Sequence, residues 1–280
     1  MLKFVLKYNL VVMKKNFLAL ILSLLMCGVS FAQEEKPKAV KIIEDKYKVN
    51  TAFQPGEELI YELKYGIVKG GELKINVGLE AVGYDYYFHV KAVCYSTGVV
   101  SKVAHIYDIY ESLFDICTGY PLKAIRNVTE NNYKRYNEDI FCQDSSVIYS
   151  MKSGRHEVPP HTFDLISAFF YSRRFIFDKK YEKNESMPLH TWFNEKLYLV
   201  TLKYKKTETV KSDFGKIECL KFVPVLSDKS VFKKEDDLEA WFTNDGNYVP
   251  LKIKIDMPIA SIRCELKSYK NLKNTDGFLK

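Results

Sequence analysis

Period-two alternation of apolar and polar residues dominates the chain from residue 53 onward. In one run, Leu59, Tyr61, Leu63 and Tyr65 occupy the apolar parity. A second run alternates in the same way, with Leu73, Ile75, Val77, Leu79 and Ala81 on its apolar side. Alternation of this kind predicts half-buried antiparallel strands with one dry and one wet face. Gly70-Gly71 predicts the turn between the two runs.

The same pattern recurs along most of the remaining chain. It predicts further strands over residues 86–94, 106–115, 122–129, 138–142, 147–151, 197–204, 207–212, 216–223, 238–243, 251–255 and 262–269. Asn244-Asp245-Gly246-Asn247, between two of these strands, contains residues that tolerate positive φ and predicts a hairpin turn. Strands at short, regular spacing predict a mainly β fold, which is an antiparallel meander, a sandwich or a barrel.

One segment has helical spacing instead. Phe163, Ile166, Phe169 and Phe170 fall on one face of a helix that follows Pro159-Pro160. Thr162 is a candidate N-cap, and Arg173-Arg174 suit the negative C-terminal end. The pattern therefore predicts one central three-turn α-helix over residues 162–174, which links two halves of the sheet. A second, short helix is predicted over residues 99–105.

The first 32 residues have the features of a cleavable signal peptide. Lys14-Lys15 precede an apolar run over residues 17–26, and Ser30-Phe31-Ala32 predicts cleavage between Ala32 and Gln33. Met13 is the expected true start, because a leader of ordinary length begins there. Met26 stands before Cys27 where a lipoprotein signal needs a small residue, so ordinary cleavage is favoured over lipidation.

This leader predicts an exported, periplasmic protein without a transmembrane span after cleavage. Beyond the leader, we predict a flexible N-terminal arm over residues 33–52, a single β-rich domain over 53–270 and a tail over 271–280.

Charge and cysteine content exclude several classes of protein. The chain has 42 Lys+Arg and 35 Asp+Glu, and removing the four lysines of the leader lowers its net charge from +7 to +3. This balance gives no argument for nucleic-acid binding. With 20 Tyr and 18 Phe, the aromatic content is typical of sheets. The mature chain keeps an odd number of cysteines, whose pairing the sequence leaves open: Cys94, Cys117, Cys142, Cys219 and Cys264.

The order of several motifs resembles an exported bacterial family, domain of unknown function 3108. These motifs are Gly56-Glu57-x-Leu59-x-Tyr61, Tyr65, Gly70-Gly71, residues 108–112 with Asp115 and Pro121, residues 164–171, Trp241-Phe242-Thr243-x-Asp245, Pro250, and Ser261-Ile262. One departure is Ala260, where glycine is expected. The resemblance implies a meander rolled into a half-barrel or incomplete barrel, in a periplasmic or surface setting. It implies no established activity, so no catalytic residue is carried over.

Candidate catalytic chemistry is sparse. His156, His161 and Asp164, together with Glu157, are weak candidates for a metal or acid–base site. Pro159-Pro160 stiffens the chain between the histidines, however, and is expected to separate them. Ser112, beside Glu111 and near Asp108 and His105, could belong to a catalytic triad. A hydrogen-bonded pair that joins strands is the favoured interpretation, because Asp108 and Ser112 share one side of the strand while Glu111 does not, and no Gly-x-Ser-x-Gly elbow is present. We therefore predict no catalytic residues, no metal and no cofactor.

Aromatic side chains are the better candidates for binding, although most of them are expected in the core. The predicted binding residues are Tyr107, Tyr110, Trp192, Trp241 and Tyr248, with Asp108 and Arg173. The favoured hypothesis is a non-catalytic binding module for an amphipathic, lipid or saccharide ligand, whose candidate partners are a lipid, a glycan or an envelope protein. The alternatives are a hydrolase or metal site in the loop 156–164, and a structural or assembly factor of the cell envelope.

Overall fold

Fifteen strands form one sheet in the residues that the computed structural model describes, which are 49–175, 182–226, 237–256 and 260–275. The predicted leader and most of the predicted arm lie outside these residues. The strands are β1 (Glu58–Tyr65), β2 (Val68–Val82), β3 (Asp85–Ser96), β4 (Ile106–Asp115), β5 (Pro121–Glu130), β6 (Tyr133–Cys142), β7 (Val147–Ser150), β8 (Gly154–Glu157), β9 (Phe163–Asp164), β10 (Ser186–Phe193), β11 (Lys196–Ser212), β12 (Gly215–Leu226), β13 (Leu238–Thr243), β14 (Pro250–Ile255) and β15 (Ile262–Lys270). The helices are α1 (Gly98–Ser101) and α2 (Leu165–Phe175).

Strands that follow each other in the sequence are neighbours in the sheet, except β8 and β9, which form its two edges. From edge to edge the strand order is β8-β7-β6-β5-β4-β3-β2-β1-β15-β14-β13-β12-β11-β10-β9. The first and last strands, β1 and β15, therefore pair at the middle and join two meanders. Every pair is antiparallel except β9 with β10. The predicted mainly β fold is confirmed, and the sheet is open and not closed into a barrel.

Aromatic side chains fill the centre of the concave side, where Phe53 is fully buried. The centroid of its ring lies 5.0 Å from that of Phe88 on β3 and 4.8 Å from that of Phe170 on α2. Phe114 on β4 completes this group. The α2 helix thus packs inside the curl of the sheet, and core side chains occupy much of the trough that an incomplete barrel would otherwise offer.

A buried ion pair connects α2 to both meanders. The Arg173 side chain is fully buried, and its Nη1 lies 2.6 Å from Oε1 of Glu57, the residue directly before β1. Its Nη2 donates to Glu57 Oε2 (3.1 Å) and to the carbonyl oxygen of Asn247 (2.9 Å), in the turn between β13 and β14. Phe53 and Phe170 lie against the guanidinium, with centroids 5.3 Å and 5.2 Å from its central carbon. Arg173 therefore fixes the helix relative to distant parts of the chain.

The pair Gly70-Gly71 is not the turn that its composition predicts. Both residues lie inside β2, while the turn from β1 consists of Gly66 and Ile67. A change of register opposite Leu63 marks a β-bulge at Gly70. A Cβ atom on Gly71 would lie 2.8 Å from the backbone oxygen of Tyr95, so the close approach of β3 explains the glycine.

The predicted start of α2 is wrong by three residues. Phe163 and Asp164 pair with β10 before the helix begins at Leu165. Asp164, and not Thr162, caps it, because its Oδ1 accepts hydrogen bonds from the backbone N–H groups of Ile166 (2.8 Å) and Ser167 (3.1 Å). The Thr162 hydroxyl instead donates to the carbonyl oxygen of Pro159.

Several other boundaries differ from the predicted ones. The two strands predicted over 197–204 and 207–212 are one strand, β11, with a bulge at Lys205. The short helix predicted over 99–105 is reduced to α1. Strands β8 and β10 were not predicted. The sequence of β8, Gly154-Arg155-His156-Glu157, has no apolar face, and Pro188 interrupts the pattern of β10.

The described cysteines are all unpaired, and among the described residues no helix has both the length and the apolar character needed to cross a bilayer.

Candidate functional site

The two ends of the curled sheet approach each other along a seam without backbone pairing, between β5–β6 and the β10–β11 hairpin. Residues 158–162 lead from β8 to β9 and so connect the two ends covalently. Trp192 on β10 packs against Phe141 and Ile148, on β6 and β7. Side chains, not strand hydrogen bonds, therefore hold the ends of the sheet together.

The inward-facing positions of β5 and β6 are unusually polar. On β5, the residues that share this side are Ala124, Arg126, Val128 and Glu130, and on β6 they are Arg135, Asn137, Asp139 and Phe141. The inward positions of β1 are Leu59, Tyr61 and Leu63. Burying polar groups costs free energy unless they are paired, so a polar concave surface on two adjacent strands marks a candidate site.

A narrow cleft opens between these polar side chains and the β10–β11 hairpin, with a cavity volume of about 30 Å³. Its lining includes Tyr110, Arg126, Arg135, Asn137, Asp139, Asp164, Trp192 and Phe193. The rings of Tyr110 and Phe193 stack with centroids 6.3 Å apart, and the Arg126 guanidinium lies 5.1 Å from the Phe193 centroid. A space of this size holds one or two water-sized groups. We refer to it as the seam cleft.

Two carboxyl groups in the seam cleft have altered acidity. Burial raises the pKa of Asp139, although Ser150, Trp192 and Asn137 offer hydrogen bonds that partly oppose the shift. Burial also raises the pKa of Asp164, against the hydrogen bond that it accepts from the Ser112 hydroxyl at 2.6 Å. In both cases burial disfavours the charged form of the carboxyl group, and the hydrogen bonds favour it.

A third acid, Asp108 on β4, is fully buried beside Glu130. Burial, and then the nearby carboxylate of Glu130, raise the pKa of Asp108 to about 8. The backbone N–H of Thr129 donates to its Oδ1 at 3.1 Å. The positive charge of Arg126 favours the charged form of Asp108 and so partly opposes the shift. Asp108 therefore lies close enough to the polar surface of the cleft to interact with Arg126.

The structure brings together only part of the predicted binding set. Tyr110 and Trp192 line the seam cleft, and Asp108 lies near them. Tyr110 is 5% and Trp192 4% exposed, so each presents little surface to solvent.

The other predicted binding residues lie elsewhere. Tyr107 is about half exposed and points away from the core. Trp241 packs between Lys221 and Lys252, and its indole N–H donates to Glu208. Tyr248 is half-buried in the turn before β14, and Arg173 serves the buried ion pair with Glu57.

The residues proposed for a metal or hydrolase site lie apart, and each contacts different partners. His156 lies on β8, where its ring contacts Trp192 and its Nε2 bonds Ser153. His161 stacks on Tyr120 with centroids 4.6 Å apart. Asp164 caps α2. Among the residues that the structure describes, no group of three or more His, Cys, Asp or Glu side chains could hold a metal ion.

The candidate triad around Ser112 does not form either. The hydroxyl of Ser112 bonds Asp164 at the start of α2, and Asp108 lies beside Glu130. Glu111 points to the other side of β4 and bonds His89.

Sequence reasoning missed Arg126, Arg135, Asp139 and the turn Asn194-Glu195. The signal was present in β5, where Arg126 and Glu130 share the parity of Ala124 and Val128. A charged residue on the apolar parity of a strand indicates either a site or an ion pair. Its partners across the seam are not readable from local pattern, since Arg126 and Asn194 are 68 positions apart.

The solved structures that align with this chain share little sequence with it. A β-barrel-like protein of domain of unknown function DUF1849 from Brucella abortus aligns with a TM-score of 0.55 at 12% identity, over 80% of this chain and 99% of its own. A Bacteroides fragilis protein provisionally described as exported, with a YmcC-like fold, has a TM-score of 0.30 at 12% identity, over 80% and 99% of the two chains. A Parabacteroides distasonis protein provisionally described as a lipoprotein has a TM-score of 0.33 at 9% identity, over 78% and 97%.

The first of these alignments supports the incomplete-barrel fold and nothing more specific. No curated protein matches the chain. The family model described as "Protein of unknown function (DUF3108)" matches residues 60–267, which confirms the resemblance drawn from the motifs. That match covers most of the chain, from β1 to β15, and the protein therefore belongs to the DUF3108 family.

Proposed function

We propose that this chain is an exported, non-catalytic binding module of the bacterial cell envelope, and that it holds the polar end of a saccharide or amphipathic ligand in the seam cleft. The observation that carries the proposal is the polar inward surface of β5 and β6 opposite the aromatic wall of Trp192 and Phe193. Flat rings beside guanidinium, amide and carboxyl groups suit a ligand with an apolar face and hydrogen-bonding substituents.

The filled interior narrows this proposal. Phe53, Phe88, Phe114 and Phe170 occupy the centre of the curl. An acyl chain therefore has no open trough there, and a ligand is expected to enter at the seam with its polar end first. The signal peptide predicted over residues 1–32 supports export.

Native mass spectrometry of protein purified from its own envelope tests the proposal. We expect a bound mass on the wild type and its loss in Ala124→Leu, because Ala124 lines the cleft and the larger side chain fills it. Ala81→Leu is the matched control, since Ala81 is exposed on β2. A wild type without bound mass, or Ala124→Leu with the same bound mass, would contradict the proposal.

The filled core also favours a second candidate, a structural or assembly factor of the envelope. This candidate predicts no bound small molecule. Crosslinking in intact cells would then yield a protein adduct that is the same in the wild type and Ala124→Leu. An adduct that disappears in Ala124→Leu would argue against it, because the change is confined to the cleft.

A further inference from the structure

The turn between β10 and β11 has an uncommon backbone. Asn194 and Glu195 alone connect Phe193 to Lys196, and both have positive φ, 55° and 61°. A two-residue turn of this hand favours Asn followed by Gly. Glutamate at the second position costs about 1 kcal/mol, because its Cβ crowds the neighbouring carbonyl oxygen. Contacts of its side chain must offset this cost.

Those contacts cross the seam. Nη1 of Arg126 donates to Oδ1 of Asn194 at 2.9 Å, and Nη2 of Arg135 lies 2.5 Å from Oε1 of Glu195. Lys152 lies further away, 3.9 Å from Oε2 of Glu195. The side chains of Arg135 and Glu195 are mostly buried, at 14% and 20% exposed. The turn thus places a carboxylate from its own chain on the guanidinium groups of the polar surface.

The two arginines keep unused donor capacity. Nε of Arg126 and Nε of Arg135 are buried and have no hydrogen-bond partner among the described residues. A guanidinium binds a carboxylate or phosphate best through two parallel N–H groups, and Nε is commonly one of them. The Asn194–Glu195 turn engages the arginines without these donors, so a separate anion could bind more completely than the turn does.

The space behind the turn supports exchange of occupants. A cavity of about 30 Å³ admits a water-sized group but no sugar ring. An acidic group of a ligand must therefore replace the Glu195 carboxylate, not join it. Once Glu195 leaves, Arg126, Arg135 and Lys152 remain as positive charges. Asp139 and Asp164 line the same cleft, and burial raises the pKa of each.

We propose that the Asn194–Glu195 turn is a displaceable internal occupant of an anion site, and that the ligand of the seam cleft carries a carboxylate or phosphate group which takes over Arg126 and Arg135. This inference rests on the proposed function, since it names the chemistry of the ligand at the same cleft. The turn then acts as a strap that opens when the acidic group binds.

The fluorescence of Trp192 provides the assay. The chain has two tryptophans, so Trp241→Phe leaves Trp192, which lines the cleft, as the only indole that reports binding. In that background we would titrate sodium glucuronate, with glucose as the neutral control of the same ring. We expect Glu195→Gln to bind glucuronate roughly fivefold more tightly than its parent, because it removes the internal competitor, and to bind glucose no better.

Two further variants test the direct role of the arginines. Glu195→Gln combined with Arg135→Gln should lose glucuronate binding, whereas Arg135→Lys should retain a weakened form. A single cooperative thermal transition above the assay temperature shows that each variant is folded. Glu157→Gln is the matched control, because Glu157 pairs with Arg155 in an exposed contact away from the cleft; it should leave the affinity unchanged.

The source of the acid is decided by two more probes. One probe is inorganic phosphate, and the other is phosphatidylglycerol vesicles with phosphatidylcholine vesicles as control. Together with glucuronate they distinguish a phosphate headgroup from a sugar acid. The anion site is supported if any of these acids binds most tightly to Glu195→Gln, less tightly to the parent, and not to the variant that also carries Arg135→Gln. Equal affinity of wild type and Glu195→Gln for all acidic probes, or binding that survives Arg135→Gln, overturns it. If native mass spectrometry meanwhile finds a cleft-dependent neutral ligand, the proposed function stands and only this inference falls.

Discussion

The buried pair of Glu57 and Arg173 offers the sharpest test of the fold. Substituting Glu57 with Gln keeps the shape of the side chain but leaves the guanidinium without its counter-charge. Both side chains have no exposure to solvent, so water cannot replace the lost partner. Removing one member of a buried pair costs about 3–5 kcal/mol. The lower end is expected here, because Arg173 keeps its bonds to the carbonyl oxygens of Ala52 and Asn247.

Urea unfolding, followed by circular dichroism and tryptophan fluorescence, measures the effect. With a denaturant slope of roughly 3 kcal/mol per molar for a chain of this size, a loss of about 3 kcal/mol lowers the midpoint by about 1 M. Arg173→Met should cost a similar amount. The double variant should cost clearly less than both single changes added together, because removing both charges leaves none buried alone.

The matched control is Glu157→Gln, which breaks the exposed contact with Arg155 and should leave the midpoint unchanged. Coincidence of the two optical probes checks that unfolding is a single transition. The reasoning is refuted if Glu57→Gln shifts the midpoint no more than Glu157→Gln, or if the two single changes add without coupling.

Three further predictions concern acidity, thiols and backbone. The pKa of Asp108 is raised to about 8 in the folded state from an ordinary value of 3.8, so the folded chain binds more protons than the unfolded chain between these pH values. The free energy of unfolding should therefore fall as pH rises from about 4 to 8, and Asp108→Asn should flatten this part of the pH profile. Equal pH profiles of wild type and variant would contradict the shift. Among the described cysteines of the native chain, a thiol reagent should label the exposed Cys117 first, and three buried cysteines only after unfolding: Cys94, Cys219 and Cys264. Their release at the rate of Cys117 would be inconsistent with the structure. Gly71→Ala should destabilise the protein by about 1–3 kcal/mol in urea unfolding, because its Cβ would lie 2.8 Å from the backbone oxygen of Tyr95. Gly78→Ala in the same strand should cost much less, because its Cβ would make only an ordinary contact at 3.4 Å. Equal costs of the two changes would contradict this explanation.

Much of the sheet could be predicted from sequence because each strand buries one face and exposes the other. The limits of β4 and β13 agree with the alternation at both ends, since polar and turn residues flank an apolar core there. Strand β8 was not predicted because this edge strand consists of a glycine and three polar residues and so shows no alternation. Gly70-Gly71 misled because glycine marks both turns and places where another strand approaches closely.

The candidate site was harder to foresee than the fold. Tyr110 and Trp192 were selected for their chemistry, and both line the cleft. Arg135 and Glu195 meet only because the two ends of the sheet curl toward each other, 60 positions apart along the chain. No local pattern encodes that curvature. Conversely, Arg173 has the chemistry of a binding residue, yet the folding of Glu57 onto it gives it a structural partner.

The pairing of β1 with β15 has a consequence for how the chain matures. Each half of the sheet consists of hairpins that form from nearby residues, but this central pairing, and the contacts of Arg173 with Glu57 and Asn247, need segments from opposite ends of the sequence. Contacts over such distances form slowly. While the chain is synthesised from its amino end, the first meander therefore lacks the neighbour of β1 until β15 is available, and the central pairing completes the sheet last.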